Sequence, residues 1–153
     1  MRRQYRIIAA SLLLGCGSDG GLAPNAVDVS GSWAGDLTYQ TVVQTTNVAA
    51  FAFALVQTGS QVTGTDNTAT GTGTASDATI SGTQTGSSLS LTITASKVPG
   101  DDCHLYPVSL TFDVGNGVLT LKSISGVECR GDGKGGHRSL DPITGGTLTM
   151  RKK

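Results

Sequence analysis

Residues 108–121 read VSLTFDVGNGVLTL, and this stretch decides the fold class. Its apolar residues recur at every second position on both sides of the Gly-Asn-Gly sequence at 115–117. Alternation with period two is typical of a strand that buries one face, and Asn-Gly is a preferred two-residue turn of a β-hairpin. The stretch therefore predicts two antiparallel strands with one apolar face and one face toward water.

The same alternation recurs along most of the chain, for example at Phe51, Phe53 and Leu55, and no window shows the stripe of an amphipathic helix. Residues 68–78 are too rich in Gly and Thr to assign and are taken as a loop. The pattern predicts eight strands, at 32–40, 49–57, 60–66, 78–85, 88–96, 105–114, 117–125 and 146–151.

Glycines inside two predicted strands favour a strongly coiled sheet. Gly64 and Gly82 lie in the similar segments VTGT (62–65) and ISGT (80–83), which form a weak internal repeat. Glycine within a strand permits the sharp bending that barrel closure needs. Eight short antiparallel strands fit an up-and-down barrel, either filled by side chains or holding one small ligand. The expected fold class is therefore an all-β, eight-stranded antiparallel barrel, with a β-sandwich as the alternative.

Composition supports an all-β protein and argues against a nucleic-acid partner. The 153 residues are 14% charged and include 22 glycines, and Glu128 is the one glutamate. Helix-favouring charged residues are thus scarce. Formal net charge is zero, but removal of Arg2, Arg3 and Arg6 with a signal peptide leaves eight basic against eleven acidic side chains. A chain of about −3 lacks the basic surface that nucleic acids require.

The first sixteen residues have the form of an export signal. Three arginines precede the apolar run Ile7–Leu14, which is too short to cross a bilayer core of about 20 residues. Leu13-Leu14-Gly15-Cys16 resembles the lipobox of bacterial lipoprotein signal peptides. That resemblance implies that Cys16 becomes the mature N-terminus and carries diacylglycerol and a fatty acyl chain such as palmitate. An ordinary secretory signal with an incidental cysteine is the alternative.

The expected organisation is a signal peptide at 1–16, a flexible linker at 17–29 and one β-barrel domain at 30–153. Residues 17–25 read GSDGGLAPN, a composition typical of flexible linkers. Gly17 follows the cysteine where retained lipoproteins carry Asp, which resembles lipoproteins sent to the outer membrane of diderm bacteria. We therefore expect an exported, lipid-anchored protein of the cell envelope, in the outer membrane if the organism is diderm.

The two ends of the predicted domain resemble those of the calycins, the superfamily of lipocalins, fatty-acid-binding proteins and avidins. Gly31-Ser32-Trp33 matches the G-x-W motif of their first strand, and Arg151 stands on the last strand. The resemblance implies that Trp33 packs against Arg151 and closes the barrel. Residues 55–65 also resemble the second hairpin of small lipocalin-like bacterial lipoproteins. Biotin binding is not expected, because avidin-type sites use several tryptophans and this chain has one.

Cys103 and Cys129 are predicted to form a disulfide, because export favours oxidation and they lie equally far from Asn116. A two-residue turn at 116–117 leaves them one step out of register, and a bulge near Pro107 would restore their opposition. Zinc is the competing interpretation, since His104 and His137 also have zinc-binding side chains. Their spacing matches no zinc motif, so no metal and no cofactor is expected.

The loop at 130–138 carries a positive cluster that could contact a partner. Its members are Arg130, Lys134, His137 and Arg138. A solvated loop whose charge is balanced by Asp101 and Asp102 is the simpler interpretation. Nucleophilic catalysis needs a Ser, Cys or Thr beside an oriented base, and neither histidine lies near such a motif. We therefore expect no catalytic residue and no enzymatic activity.

Two functions remain after these exclusions. One is a carrier or sensor that binds a small apolar ligand in the barrel mouth, as the calycin resemblance implies. The other is a solid-core surface or periplasmic module, or an enzyme inhibitor, that meets a protein partner through its loops. A monomer is expected in either case. An enclosed apolar cavity of at least ~300 Å³ would favour the carrier. The expected lining residues are Trp33, Leu37, Phe51, Phe53, Leu91, Phe112 and Leu121.

Overall fold

The computed structural model describes residues 27–67, 78–94, 107–130 and 139–153. These segments form nine β-strands. They include no helix, and hence none that could span a membrane. The strands are β1 (Gly31–Thr41), β2 (Thr45–Thr58), β3 (Gln61–Asp66), β4 (Thr79–Thr85), β5 (Ser88–Thr94), β6 (Val108–Gly115), β7 (Val118–Ser125), β8 (Val127–Arg130) and β9 (Ser139–Lys152).

Eight of the strands close into an antiparallel up-and-down barrel. Each strand from β1 to β6 pairs with the next along the chain, and β9 pairs with both β7 and β1. The β1–β9 ladder runs from Trp33 opposite Lys152 to Thr41 opposite Ile143. Because the first and last strands pair, neither is left as an open edge. The barrel prediction is confirmed, and the alternative of two stacked sheets is wrong.

The ninth strand was not predicted. β8 pairs with the first residues of β9, from Val127 opposite Pro142 to Arg130 opposite Ser139. This ladder has the same register as the β7–β9 ladder, so β8 continues the line of β7 beyond Gly126, whose φ is 148°. Pro142 and the glycines at 145 and 146 are strand breakers by composition, which is why the sequence pattern predicted only the second half of β9.

Inward-facing apolar residues from every strand of the closed barrel fill one continuous core. Two glycines bring neighbouring strands close together inside it. A Cβ atom on Gly64 would collide with the Ala54 carbonyl oxygen, and one on Gly82 with the Ser90 carbonyl oxygen. Both glycines lie opposite inward-facing residues, Leu55 and Leu91 respectively. The strands can therefore bend sharply there only because no side chain is present.

The β6–β7 hairpin has the predicted turn but a different bulge. Asn116 and Gly117 both have positive φ, and Phe112 lies opposite Leu121 as expected. The bulge falls between Thr111 and Phe112, with Lys122 as the extra residue of β7. A bulge near Pro107 with its extra residue on β6 would have brought the cysteine positions into opposition. The observed one shifts the register the other way, so this hairpin does not supply the geometry expected for the disulfide.

Candidate functional site

The two ends of the barrel are built differently. At one end, here called the closed end, strands are joined by tight turns at 59–60, 86–87 and 116–117. At the other, the open end, residues 42–44 join β1 to β2, and the other connections are longer. Residues 68–77, 95–106 and 131–138 all connect strands at the open end and lie outside the described residues.

Trp33 and the segment that precedes β1 fill the closed end. Trp33 is 2% exposed, and its Nε1 donates a hydrogen bond to the Val29 carbonyl oxygen at 2.8 Å. The Val29 N–H in turn donates to Oε1 of Gln57 at 2.9 Å. The Gln57 side chain also donates to the Gly59 carbonyl oxygen in the adjacent turn, at 2.9 Å. The chain therefore enters the domain through a hydrogen-bonded plug that satisfies the buried indole.

The cation over the Trp33 ring is Lys152, and not Arg151 as the calycin resemblance implied. Lys152 Nζ lies 5.8 Å from the ring centroid. Residues directly opposite in an antiparallel ladder share a face, and Trp33 is opposite Lys152. Arg151 is opposite Ala34 and is exposed on the outer face. The sequence predicted the correct pair of strands, β1 and β9, but placed them one residue out of register. Such a shift moves every side chain of a strand to the opposite face of the sheet.

A second glutamine repeats the arrangement of Gln57 at the closed end. The sequence QTGS occurs at 57–60 and again at 84–87, in the β2–β3 and β4–β5 turns. Gln84 donates from Nε2 to the Gly86 carbonyl oxygen at 3.2 Å, as Gln57 does to Gly59. Gln84 is almost fully buried. Both turns are thus held from inside the barrel by an amide side chain.

The open end contains a pocket of about 210 Å³ that is accessible to solvent. Most of its wall is apolar, and the polar side chains in it are those of Tyr39, Asp66 and Glu128. The pocket lies above the packed core, and every strand of the barrel except β4 contributes a residue to its wall. Its apolar lining consists of Leu37, Val48, Phe51, Ile93, Val108, Leu110, Ile124, Val127 and Ile143.

The residues expected to line a ligand cavity divide between the pocket and the core. Leu37 and Phe51 line the pocket. The structure places the others below it, because the closed half of the barrel is filled by large side chains that touch one another. Trp33, Phe53, Leu91 and Phe112 are buried in the core, and Leu121 is half-buried and packs against it.

Glu128 is held at the pocket by a group of hydrogen-bond donors, here called the Glu128 cluster. Its Oε1 accepts from the Tyr39 hydroxyl at 3.1 Å, from Gln44 Nε2 at 3.1 Å and from the Thr46 hydroxyl at 3.4 Å. Tyr39 and Thr46 are directly opposite in the β1–β2 ladder, and Gln44 precedes β2. The half-buried carboxylate therefore has a defined position at the rim of an apolar pocket.

A glycine on β9 allows this strand to lie close to β1 and β7 next to the Glu128 cluster. Gly146 lies opposite Tyr39 in the β1–β9 ladder. A Cβ atom there would lie 2.8 Å from the Thr38 carbonyl oxygen and 3.0 Å from Cγ2 of Ile124. Glu128 was missed by sequence reasoning because it lies on β8, a strand of four residues between Gly126 and the glycine-rich segment 131–138. The available signal was its position as the one glutamate of the chain, between Val127 and Cys129.

Several expected site residues lie outside the described residues. These are Cys16, Cys103, His104, Lys134, His137 and Arg138. For Cys129 and Arg130 the structure describes the backbone, which pairs with Leu140 and Ser139 of β9. The disulfide and the positive loop cluster thus remain predictions. Within the described ranges, no group of three or more His, Cys, Asp or Glu side chains is placed to hold a metal ion.

No family model, no curated protein and no solved structure matches this chain. The fold assignment therefore rests on the strand pairing itself. The calycin resemblance predicted a closed eight-stranded barrel, which the structure has, whereas membership of that superfamily stays a prediction.

Proposed function

We propose that this protein is a lipid-anchored, non-enzymatic barrel of the cell envelope that binds a small apolar ligand at its open end. The observation that carries the proposal is the apolar pocket of about 210 Å³ above the packed core. It is open to solvent and smaller than the enclosed cavity of ~300 Å³ expected of a carrier, so the proposal is restricted to ligands smaller than drug-sized molecules. Ligand sites are typically concave and apolar with a few placed polar groups, and this pocket has both features.

The pocket volume sets the size of the ligand. A cavity of ~150 Å³ can hold benzene, whereas sites for larger drug-sized molecules occupy ~300–1,000 Å³. At about 210 Å³ the pocket suits a single ring with a short substituent. A deep calyx for a long lipid is not supported, because Trp33, Phe53 and Phe112 fill the lower half of the barrel.

The fold also supports the proposed orientation of an anchored protein. The described chain enters β1 at the closed end, where Val29 and Ser30 are bonded to Gln57. A tether from Cys16 would therefore attach to the domain at the end opposite the pocket. The ligand would then reach the pocket from the aqueous side.

Binding can be tested with phenethyl alcohol, a neutral ring compound of suitable size, by isothermal titration calorimetry. Val48→Phe places a larger side chain in the pocket, and Val56→Phe adds the same group on the outer face of the same strand. We expect saturable binding to the wild type and to Val56→Phe, and at least about tenfold weaker binding to Val48→Phe. Absence of binding to the wild type, or equal binding to Val48→Phe, would contradict the proposal.

The anchor requires a separate experiment. Cys16→Ser should move the protein from the membrane fraction to the soluble fraction and abolish the acyl mass on the N-terminal peptide. A variant that still sediments with membranes would exclude lipidation at Cys16 as the anchor.

Mass spectrometry of the unreduced protein in the same preparation tests the Cys103–Cys129 disulfide, which lowers the mass by two hydrogen atoms.

The second candidate is a module that binds a protein partner at the open end. The observation that favours it is the exposure of two adjacent valines between β1 and β2, Val42 at 72% and Val43 at 62%. Exposed apolar residues at one end of a domain can form an interaction surface. If the module function is correct, Val42→Ser with Val43→Ser should abolish binding of the partner and leave phenethyl alcohol binding unchanged.

A further inference from the structure

We propose that the open-end pocket selects small apolar amines, with the ammonium group of the ligand bound by Glu128. This inference rests on the proposed function, since it assigns a chemical class to the ligand of the same pocket. It depends on three features of the described residues: the apolar wall, the position of the Glu128 carboxylate and the distribution of charge.

The first step is the shape of the pocket. Its floor and sides are formed by aliphatic side chains and the ring of Phe51, so a ring or short alkyl group is the part of a ligand that belongs there. Glu128 and Tyr39 line the same pocket. An apolar body with one polar end can therefore place that end beside the carboxylate.

The second step is the preorganisation of the carboxylate. Three donors from β1, the following turn and β2 already orient Glu128, with the Tyr39 hydroxyl at 3.1 Å. Among them, the Gln44 amide is exposed and reaches both carboxylate oxygens, at 3.1 and 3.4 Å. An ammonium group can replace this neutral amide as donor. Hydrogen bonds between charged partners are shorter and about twice as strong as neutral ones.

The third step is charge. Asp66 from the end of β3 also lines the pocket, so both charged residues in its wall are acidic. The described lysine and arginine side chains lie elsewhere. Lys122 pairs with Asp113 on the outer face, at 3.3 Å, and residues 151–153 end β9 at the closed end. The charges that the structure describes in the pocket wall are therefore both negative, and negative groups favour a cationic ligand over an anionic one.

The experiment compares three probes that share a phenyl ring and a short chain: phenethylamine, phenethyl alcohol and phenylacetate. Binding is measured by isothermal titration calorimetry at neutral pH for the wild type, for Glu128→Gln and for Asp113→Asn. Glu128→Gln retains an oxygen acceptor for Tyr39 and Thr46 but removes the charge. Asp113→Asn makes the same chemical change on the outer face, away from the pocket, and is the matched control.

For the wild type we expect phenethylamine to bind about tenfold more tightly than phenethyl alcohol, and phenylacetate to bind more weakly than both. Glu128→Gln should reduce the preference for the amine over the alcohol from about tenfold to within about twofold. Asp113→Asn should match the wild type with all three probes. An unchanged circular dichroism spectrum shows that the Glu128→Gln variant is folded.

The outcomes separate this inference from the proposed function. If none of the probes binds the wild type, the proposed function fails and the inference fails with it. If the alcohol and the amine bind equally well, the pocket binds apolar ligands but the selectivity for amines is wrong. If the amine is preferred but Glu128→Gln keeps the full preference, the assignment to Glu128 is overturned.

Discussion

The closed end and the open end of this barrel are made from the same alternating strands, yet they differ in what fills them. At the closed end, tight turns and the Trp33 side chain leave no space, and the entering chain is hydrogen-bonded to Gln57. At the open end three of the connections are longer, and a solvent-accessible pocket with two acidic side chains remains. The two ends therefore divide packing from open space, with the large buried side chains at one end and, at the other, the pocket where we propose that a ligand binds.

The strongest test of this division compares two phenylalanines on the same strand. Phe53 is 1% exposed in the packed half, and Phe51 lines the pocket with its ring 4.8 Å from that of Phe53. Phe53→Ala should lower the free energy of unfolding by about 3–5 kcal/mol because it leaves a cavity in close-packed surroundings. Phe51→Ala should cost at least about 1 kcal/mol less, since part of its surroundings is already empty. Urea denaturation measures both, and equal costs would contradict the division.

The next effect concerns the inward-facing glycines that let the strands coil. Gly82→Ala should destabilise the protein by about 1–3 kcal/mol, because the new Cβ would collide with the Ser90 carbonyl and shift the β4–β5 ladder. Gly115→Ala is the control, since no atom lies within 4 Å of a Cβ built there. Thermal unfolding of the two variants checks the difference. A Gly82→Ala variant as stable as Gly115→Ala would show that close strand approach is not required.

Two neighbouring cations at the closed end, Lys152 and Arg151, should differ in their contribution to stability, because Lys152 lies over the Trp33 ring. Lys152→Ala should cost about 0.5–1 kcal/mol, the range for a cation–π contact at an exposed site. Arg151→Ala should cost less, because Arg151 lies on the outer face opposite Ala34. Chemical denaturation with Trp33 fluorescence measures both, and the emission should change with Lys152→Ala only. A larger effect from Arg151→Ala would restore the contact that the calycin resemblance implied.

The smallest expected effect is a pH dependence at the start of the domain. Hydrogen bonds from the Ser30 backbone and then from its side chain lower the pKa of Asp28 below its ordinary value of 3.8, and burial opposes them weakly. A lowered folded-state pKa means that this contribution to stability is fully present above the ordinary pKa and is lost as pH falls through the lower folded-state pKa. Asp28→Asn should flatten the stability profile slightly in that acidic range. An NMR titration of Asp28 at or above its ordinary pKa would contradict the assignment.

The sequence predicts those features of the structure that depend on interactions between residues close together in the chain. The Asn116-Gly117 turn, the pairing of Phe112 with Leu121 and the placement of Gly64 and Gly82 all follow from short-range rules. Closure of the barrel followed from the need to pair the first and last strands. The exact register at Trp33 did not follow, because it is set by all of the strands together.

The candidate site was less predictable for a related reason. The pocket forms where the core ends, and that boundary depends on how far the Trp33 and Phe53 side chains fill the barrel. β2 begins at Thr45, four residues before its predicted start. The sequence pattern missed these residues because a bulge between Val48 and Phe51 interrupts the alternation of apolar residues. Glu128 stands on a strand that composition gave no reason to expect. Its hydrogen bonds with Tyr39, Gln44 and Thr46 follow from the folding of distant segments together, which no local sequence pattern indicates.

The most direct test of the division between the two ends is an NMR titration of the uniformly ¹⁵N-labelled protein with phenethyl alcohol. We predict that backbone amide signals of Leu37, Val48, Phe51 and Ile143 shift with one saturable binding curve. The Trp33 indole N–H and the amides of Leu89 and Met150 should not move, because they belong to the packed end. Shifts centred on Trp33, or shifts spread evenly over both ends, would contradict the account.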